Sequence, residues 1–226
     1  MHRLVVATTN SGKLREYLEL LATGPLAAQV VALWPGHPEL GGRVMAEVPE
    51  VSHDLAENAQ AKARAAADFF GRVAVADDTG LYVQALGGAP GPRAARYGGE
   101  NATDEARIRR LLGELEGVPP GRRTAWFRCA LAVAVPVGHG GPWDGRTRVF
   151  WGECPGEVTL APRGTGGFGY DPVFEVAGLG RTFAELDLSQ KNRLSHRARA
   201  WRQAEGFLAL LLGALSAGGE GGGRCG

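Results

Sequence analysis

Two adjacent carboxylates, Asp77 and Asp78, follow the apolar run Val73-Ala74-Val75-Ala76 and precede Thr79-Gly80. Acidic groups at the end of a buried strand are costly unless a cation neutralises them. Neighbouring side chains on a strand point to opposite faces, so one Asp can face a cleft while the other holds the loop. The pair therefore reads as a divalent metal site that also carries a general base. The same residues read equally well as an Asp cap and turn ahead of a helix.

A second group opens the chain. The apolar residues 3–8 predict a strand, and Thr9-Asn10-Ser11-Gly12-Lys13 a polar turn into a helix. Leu14, Leu18 and Leu21 form that helix's expected inner stripe, with Glu16 and Glu19 outside. A helix entered through such a turn is an anion site, because unpaired N–H groups and the dipole favour negative charge. Lys13 adds a full positive charge. The loop lacks the first Gly of a Walker A motif and has Leu after the Lys. It reads either as a solvated turn or as a triphosphate cradle of another design.

A third group is the run Gly164-Thr165-Gly166-Gly167-Phe168-Gly169-Tyr170-Asp171-Pro172. Its glycines let backbone approach a ligand while Phe168 or Tyr170 offers a ring and Asp171 a carboxylate, which suits a purine. The alternative is a connector whose aromatics pack on the core. Lys191, Ser195, His196 and Arg197 then cluster at the start of a final helix expected to be capped by Ser189. That cluster points to binding of an anion and a base edge.

The elements that must position these groups follow from pattern. A strand is expected over 29–33 and an alanine-rich helix from an Asp54 or Ser52 cap to Phe70, with Glu57 as box partner and Gly71 as its end. Thr103 caps an amphipathic helix with Ile108, Leu111, Leu112 and Leu115 inward. Residues 124–136 and 147–154 read as an antiparallel hairpin, extended by 156–160. The last helix should bury Leu208, Leu211, Leu212 and Leu215. Strand–helix–strand order argues an α/β sheet with a cleft at strand ends. Residues 1–215 are expected to form one two-lobed domain, and the Gly-rich residues 216–226 a flexible tail.

Composition narrows the functional classes. The formal net charge of +1 offers no basic field for nucleic acid. No stretch approaches a membrane span, and the N-terminal apolar run is too short for a signal peptide. The three cysteines make no disulfide framework or metal spacing, which fits a reducing, cytoplasmic location. Among 25 cationic residues the lysines stand only at 13, 62 and 191, so each is a candidate for a specific task.

Residues 8–13, Ala76-Asp77-Asp78-Thr79-Gly80-Leu81, the Gly166–Pro172 run and Ser195-His196-Arg197 together resemble the inosine/xanthosine triphosphate pyrophosphatases. Residues 85–91 and 95–97 match that pattern too. The resemblance covers residues 4 to about 212. It implies an α/β fold with a long twisted mixed β-sheet and flanking helices, in two lobes with the nucleotide cleft between them, and a homodimer. It implies Mg²⁺ as cofactor and a nucleoside triphosphate substrate split into monophosphate and pyrophosphate. Asp78 then resembles the general base and a metal ligand. Thr8, Thr9, Asn10, Ser11, Gly12 and Lys13 would hold the triphosphate, with Thr79 beside the base. Phe168, Gly169, Tyr170 and Asp171 would stack and recognise the purine, completed by Lys191, His196 and Arg197. The family's second metal ligand, a Glu, falls on Pro49 when Glu57-Asn58 is aligned. Glu50 is the choice here, over Glu47. The rival readings are a pyrophosphatase for other modified nucleotides and a non-catalytic nucleotide sensor.

Overall fold

The computed structural model describes residues 1–50, 52–99 and 101–218, and side chains to residue 214. A seven-stranded sheet runs β2 (Val30–Leu33), β1 (His2–Val6), β3 (Ala74–Val83), β5 (Thr124–Ala134), β6 (Thr147–Val158), β7 (Phe174–Val176), with β4 (Pro90–Gly91) beside β3. β1 is parallel to β2 and β3, and every other pairing is antiparallel. The sheet is therefore mixed, and with five flanking helices the fold is α/β, as the resemblance implies.

The two-residue period of the strands assigns the helices to their faces. Leu4, Val6, Val75, Leu131 and Val133 pack on α1 (Ser11–Thr23) and α5 (His196–Gly218) through Tyr17, Leu20, Trp201 and Leu208. Val5, Ala74, Ala76, Ala130 and Ala132 face α2 (Leu55–Phe70), whose Ala59, Ala63, Ala66 and Ala67 are fully buried. Alanine on both surfaces brings this helix close to the sheet. A third cluster joins Ile108 and Leu111 of α3 (Asp104–Glu114) to Leu81, Phe127 and Phe174 at the other end.

Several expectations are corrected. β3 does not end at the aspartates; it continues through Asp77-Asp78-Thr79-Gly80 to Val83, paired along its whole length with β5. Gly80 is not a turn residue. A Cβ there would lie 2.8 Å from the Gly91 carbonyl oxygen, so glycine admits β4 alongside. Glu16 is not on the outside of α1; it is 2% exposed, and the buried stripe is Glu16, Tyr17, Leu20 and Leu21. The final helix is two helices. α4 (Leu188–Leu194) is capped by Asp187 in a capping box with Gln190, not by Ser189. The chain bends at Ser195, whose Oγ accepts the Ala198 amide at 3.2 Å and so starts α5. α5 reaches Gly218, past the expected boundary at 215. The Leu215 side chain and residues 219–226 of the expected tail lie outside the described residues. Among the described residues, no helix is long and apolar enough to cross a membrane.

Candidate active site

A cavity of about 770 Å³ opens between the start of α1, the middle of β3, the loop before α4 and the start of α5. Thr9, Asn10, Ser11, Gly12 and Lys13 line one side, with Glu50, Asp78 and Thr79. Phe168, Gly169, Tyr170, Asp171, Lys191, His196 and Arg197 line the rest. Thr8 stands just before the turn, where its Oγ1 accepts the Asn10 amide at 3.2 Å. Asn10 caps α1, its side chain accepting the Lys13 amide at 2.9 Å. Helix starts leave their first amides without helical acceptors. The turn therefore offers donors and a lysine to one anionic group.

β3 sends its two aspartates to opposite faces. Asp77 Oδ2 receives Lys13 Nζ at 3.1 Å, Arg197 Nη2 at 3.2 Å and Thr79 Oγ1 at 2.9 Å. Burial alone would raise its carboxyl pKa, but the Lys13 and Arg197 cations outweigh that and hold it far below the usual range. Arg197 also pairs with Glu16, Glu16 with Lys191 at 2.6 Å, and Lys191 with Asp171. Lys13, Asp77, Arg197, Glu16, Lys191 and Asp171 thus form one alternating chain of charge beneath the cavity. Each buried ion has an opposite partner, which is the condition for keeping charge in the interior.

Asp78 faces α2. Its Oδ2 accepts Asn58 Nδ2 at 2.9 Å, and its Oδ1 lies 3.3 Å from Lys62 Nζ, which is 2.8 Å from Glu50 Oε1. Burial raises the Asp78 pKa, the Glu50 carboxylate adds to the rise, and Lys62 offsets only part of it. The Lys62 ammonium thus bridges the two carboxylates, with Glu50 rather than the exposed Glu47 beside Asp78. Such hard, anionic oxygen donors fit a magnesium ion.

The Phe168 ring lies over Gly12 of the same turn, where a Cβ would come within 2.4 Å of the ring. Lys191 Nζ sits 4.8 Å from the Phe168 centroid. Tyr170 and Asp171 hold the loop rather than present free edges. The Tyr170 hydroxyl donates to the Ala94 carbonyl at 2.9 Å, and Asp171 accepts the Phe168 amide at 2.8 Å. His196 stacks on Phe127 at 4.7 Å, and neither ring nitrogen has a protein partner. Burial, reinforced by Arg197 and Lys191, pushes its pKa well down and keeps the ring neutral. In Arg197 both terminal nitrogens are committed to Glu16, Asp77 and Thr79, leaving only Nε without a partner. All three lysines of the chain thus belong to this site. Glu16, Asn58 and Lys62 are the participants that motif reading omitted; the scarcity of lysine was the available signal for Lys62.

An α/β sheet with an anion cradle, paired carboxylates and an aromatic loop around one cavity defines a nucleotide-handling class of protein. The chain belongs to the Ham1 family, whose model matches residues 4–207. It is 48% identical over 200 residues to a dITP/XTP pyrophosphatase of Geobacter sulfurreducens, spanning 88% of this chain and 93% of that one. It is 46% identical to a dITP/XTP pyrophosphatase of Geobacillus kaustophilus, over 88% and 91% of the two chains. A HAM1 protein structure from Coxiella burnetii superposes with a TM-score of 0.76 at 38% identity, covering 92% of this chain and 99% of that one.

Proposed function

We propose that this protein hydrolyses non-standard purine nucleoside triphosphates (ITP, dITP and XTP) to the monophosphate and pyrophosphate. The observation that carries the reading is one cavity lined together by the Lys13 anion cradle, the Asp78–Glu50 pair, Phe168 and His196. The α1 amides and Lys13 bind the phosphates. Asp78, whose raised pKa suits a base, orients a water and takes its proton. The water oxygen bonds to the α-phosphorus, the bond to the bridging oxygen breaks, and its electron pair leaves on pyrophosphate. Lys13 and the helix N–H groups meet that charge. Glu50 and Asp78 would hold Mg²⁺, which would neutralise phosphate charge.

Phe168 stacks the purine and the neutral His196 offers one N–H. Hypoxanthine and xanthine carry a 6-oxo acceptor there, whereas adenine carries a donor. A site that hydrogen-bonds one and not the other discriminates by on the order of 10⁴.

The protein works in the cytoplasm, a reading supported by the free thiols of Cys129 and Cys154. It acts as a homodimer. The face that α2 covers at Ala130 continues to Trp151, 46% exposed, and to the Arg128–Glu153 pair, which can exchange partners across a two-fold axis. Light scattering on the wild type and on Trp151→Glu tests this: a dimer that the substitution splits supports it, a monomeric wild type refutes it.

Pyrophosphate release from ITP, dITP, XTP, GTP and ATP with magnesium tests the activity. Strong turnover of the first three over ATP is expected; equal turnover of all five contradicts the base reading, and none contradicts the activity.

A further inference from the structure

Residues 166–169 line the substrate cavity on one side and a second cavity of about 550 Å³ on the other. The segment that carries Phe168 is therefore a wall one chain thick, with open space behind it. Three of its four residues are glycine and offer no side chain to anchor it. Gly166 donates to the Ala184 carbonyl at 2.9 Å and the Phe168 amide to Asp171 at 2.8 Å, but the Gly169 end needs a hold of its own.

The first turn of α3 supplies that hold. Asp104 Oδ2 accepts the Gly169 amide at 2.6 Å, and Oδ1 pairs with Arg107 one turn on. Arg107 in turn donates to the Ala95 carbonyl. Pro92, Ala94 and Ala95 line the same cavity as the glycine segment. The Tyr170 hydroxyl, bound to the Ala94 carbonyl, ties the same two segments a second time. Thr103 fixes the turn itself by capping α3 at the Ala106 amide, 3.2 Å away.

We propose that Asp104 and Arg107 form a clasp that positions the Phe168 segment, and through it the purine, without contributing to the chemical step. Its bearing on substrate rests on the proposed nucleotide activity; its bearing on the loop does not. A charge-assisted hydrogen bond to a backbone amide is a strong single anchor. Losing it lets the ring retreat into the space behind. Binding then weakens while the Asp78 end keeps its geometry, so KM rises and kcat holds.

The test combines amide hydrogen exchange with steady-state kinetics on the full chain. In Asp104→Ala, exchange over 166–170 should quicken at least tenfold, with β3 and β5 unchanged. KM for dITP should rise about tenfold with kcat within twofold, and the preference for dITP over dATP should shrink. Asp104→Asn, whose amide oxygen still accepts from Gly169, should recover most of the loss. Arg107→Ala should move KM in the same direction, and the double variant should be no worse than Asp104→Ala alone. Unchanged loop exchange in a folded Asp104→Ala overturns the clasp. So does a fall in kcat at constant KM, or an Asn variant as poor as the Ala variant. A wild type inactive on dITP whose loop nonetheless loosens in Asp104→Ala would refute the activity and leave the clasp standing.

Discussion

Asp77 and Asp78 are chain neighbours held in opposite charge environments. The first is clamped by Lys13 and Arg197 on the α1/α5 face and stays firmly ionised. The second sits with Asn58, Lys62 and Glu50 on the α2 face, with its pKa raised. Alternation along β3 produces this division, and it separates a fully ion-paired carboxylate from the one proposed as the base.

Matched substitutions should therefore fail differently. Asp78→Asn should keep its melting temperature within a few degrees while kcat falls by about 10²–10⁴, the usual worth of a general base. Asp77→Asn leaves Arg197 buried and under-compensated. Breaking a buried pair costs about 3–5 kcal/mol, and melting should drop by roughly 10 °C. Calorimetry beside a pyrophosphate assay separates the two.

Glu16 holds Lys191 and Arg197 at once, with all three nearly inaccessible. Glu16→Ala leaves two cations facing each other. A loss of about 3–5 kcal/mol in urea unfolding is expected, and a loss under about 1 kcal/mol would show that the charges find other partners.

Phe168 rests on Gly12. Phe168→Ala should raise KM for ITP by roughly tenfold, since stacking on an aromatic ring is worth about 1–3 kcal/mol per base. Gly12→Ala should act in the same direction by displacing the ring. Isothermal binding of IMP to both variants reads the effect apart from turnover.

His196 gives a pH signature. Its folded pKa is depressed below the unfolded value of 6.5 by burial and neighbouring cations. Its contribution is complete above pH 6.5 and is lost as pH falls below it, because the unfolded chain then binds the extra proton. The slope is at most about 1.4 kcal/mol per pH unit. Urea midpoints at pH 7.5 and 5.5 should diverge in the wild type and diverge less in His196→Gln.

The α/β order, the caps at Asp54 and Thr103 and the long hairpin were legible in the sequence, because each rests on local pattern. The course of β3 was not. Asp-Asp-Thr-Gly has turn composition, and only its pairing with β5 and the approach of Gly91 make it strand interior. Glu16 was misplaced for a related reason. A glutamate between leucines reads as solvated until its cations arrive from far along the chain at Lys191 and Arg197. The break at Ser195 escaped because a serine inside a run of helix formers reads as helix interior, and only its Oγ on the Ala198 amide marks the start of a second helix.

The most direct test of the central claim is hydrolysis of dITP with magnesium in H₂¹⁸O, with products resolved by mass, for the wild type and Asp78→Asn. Label in the monophosphate, unlabelled pyrophosphate and collapse of the rate in the variant are predicted. Label in pyrophosphate, release of orthophosphate, or an Asp78→Asn variant as fast as the wild type would contradict it.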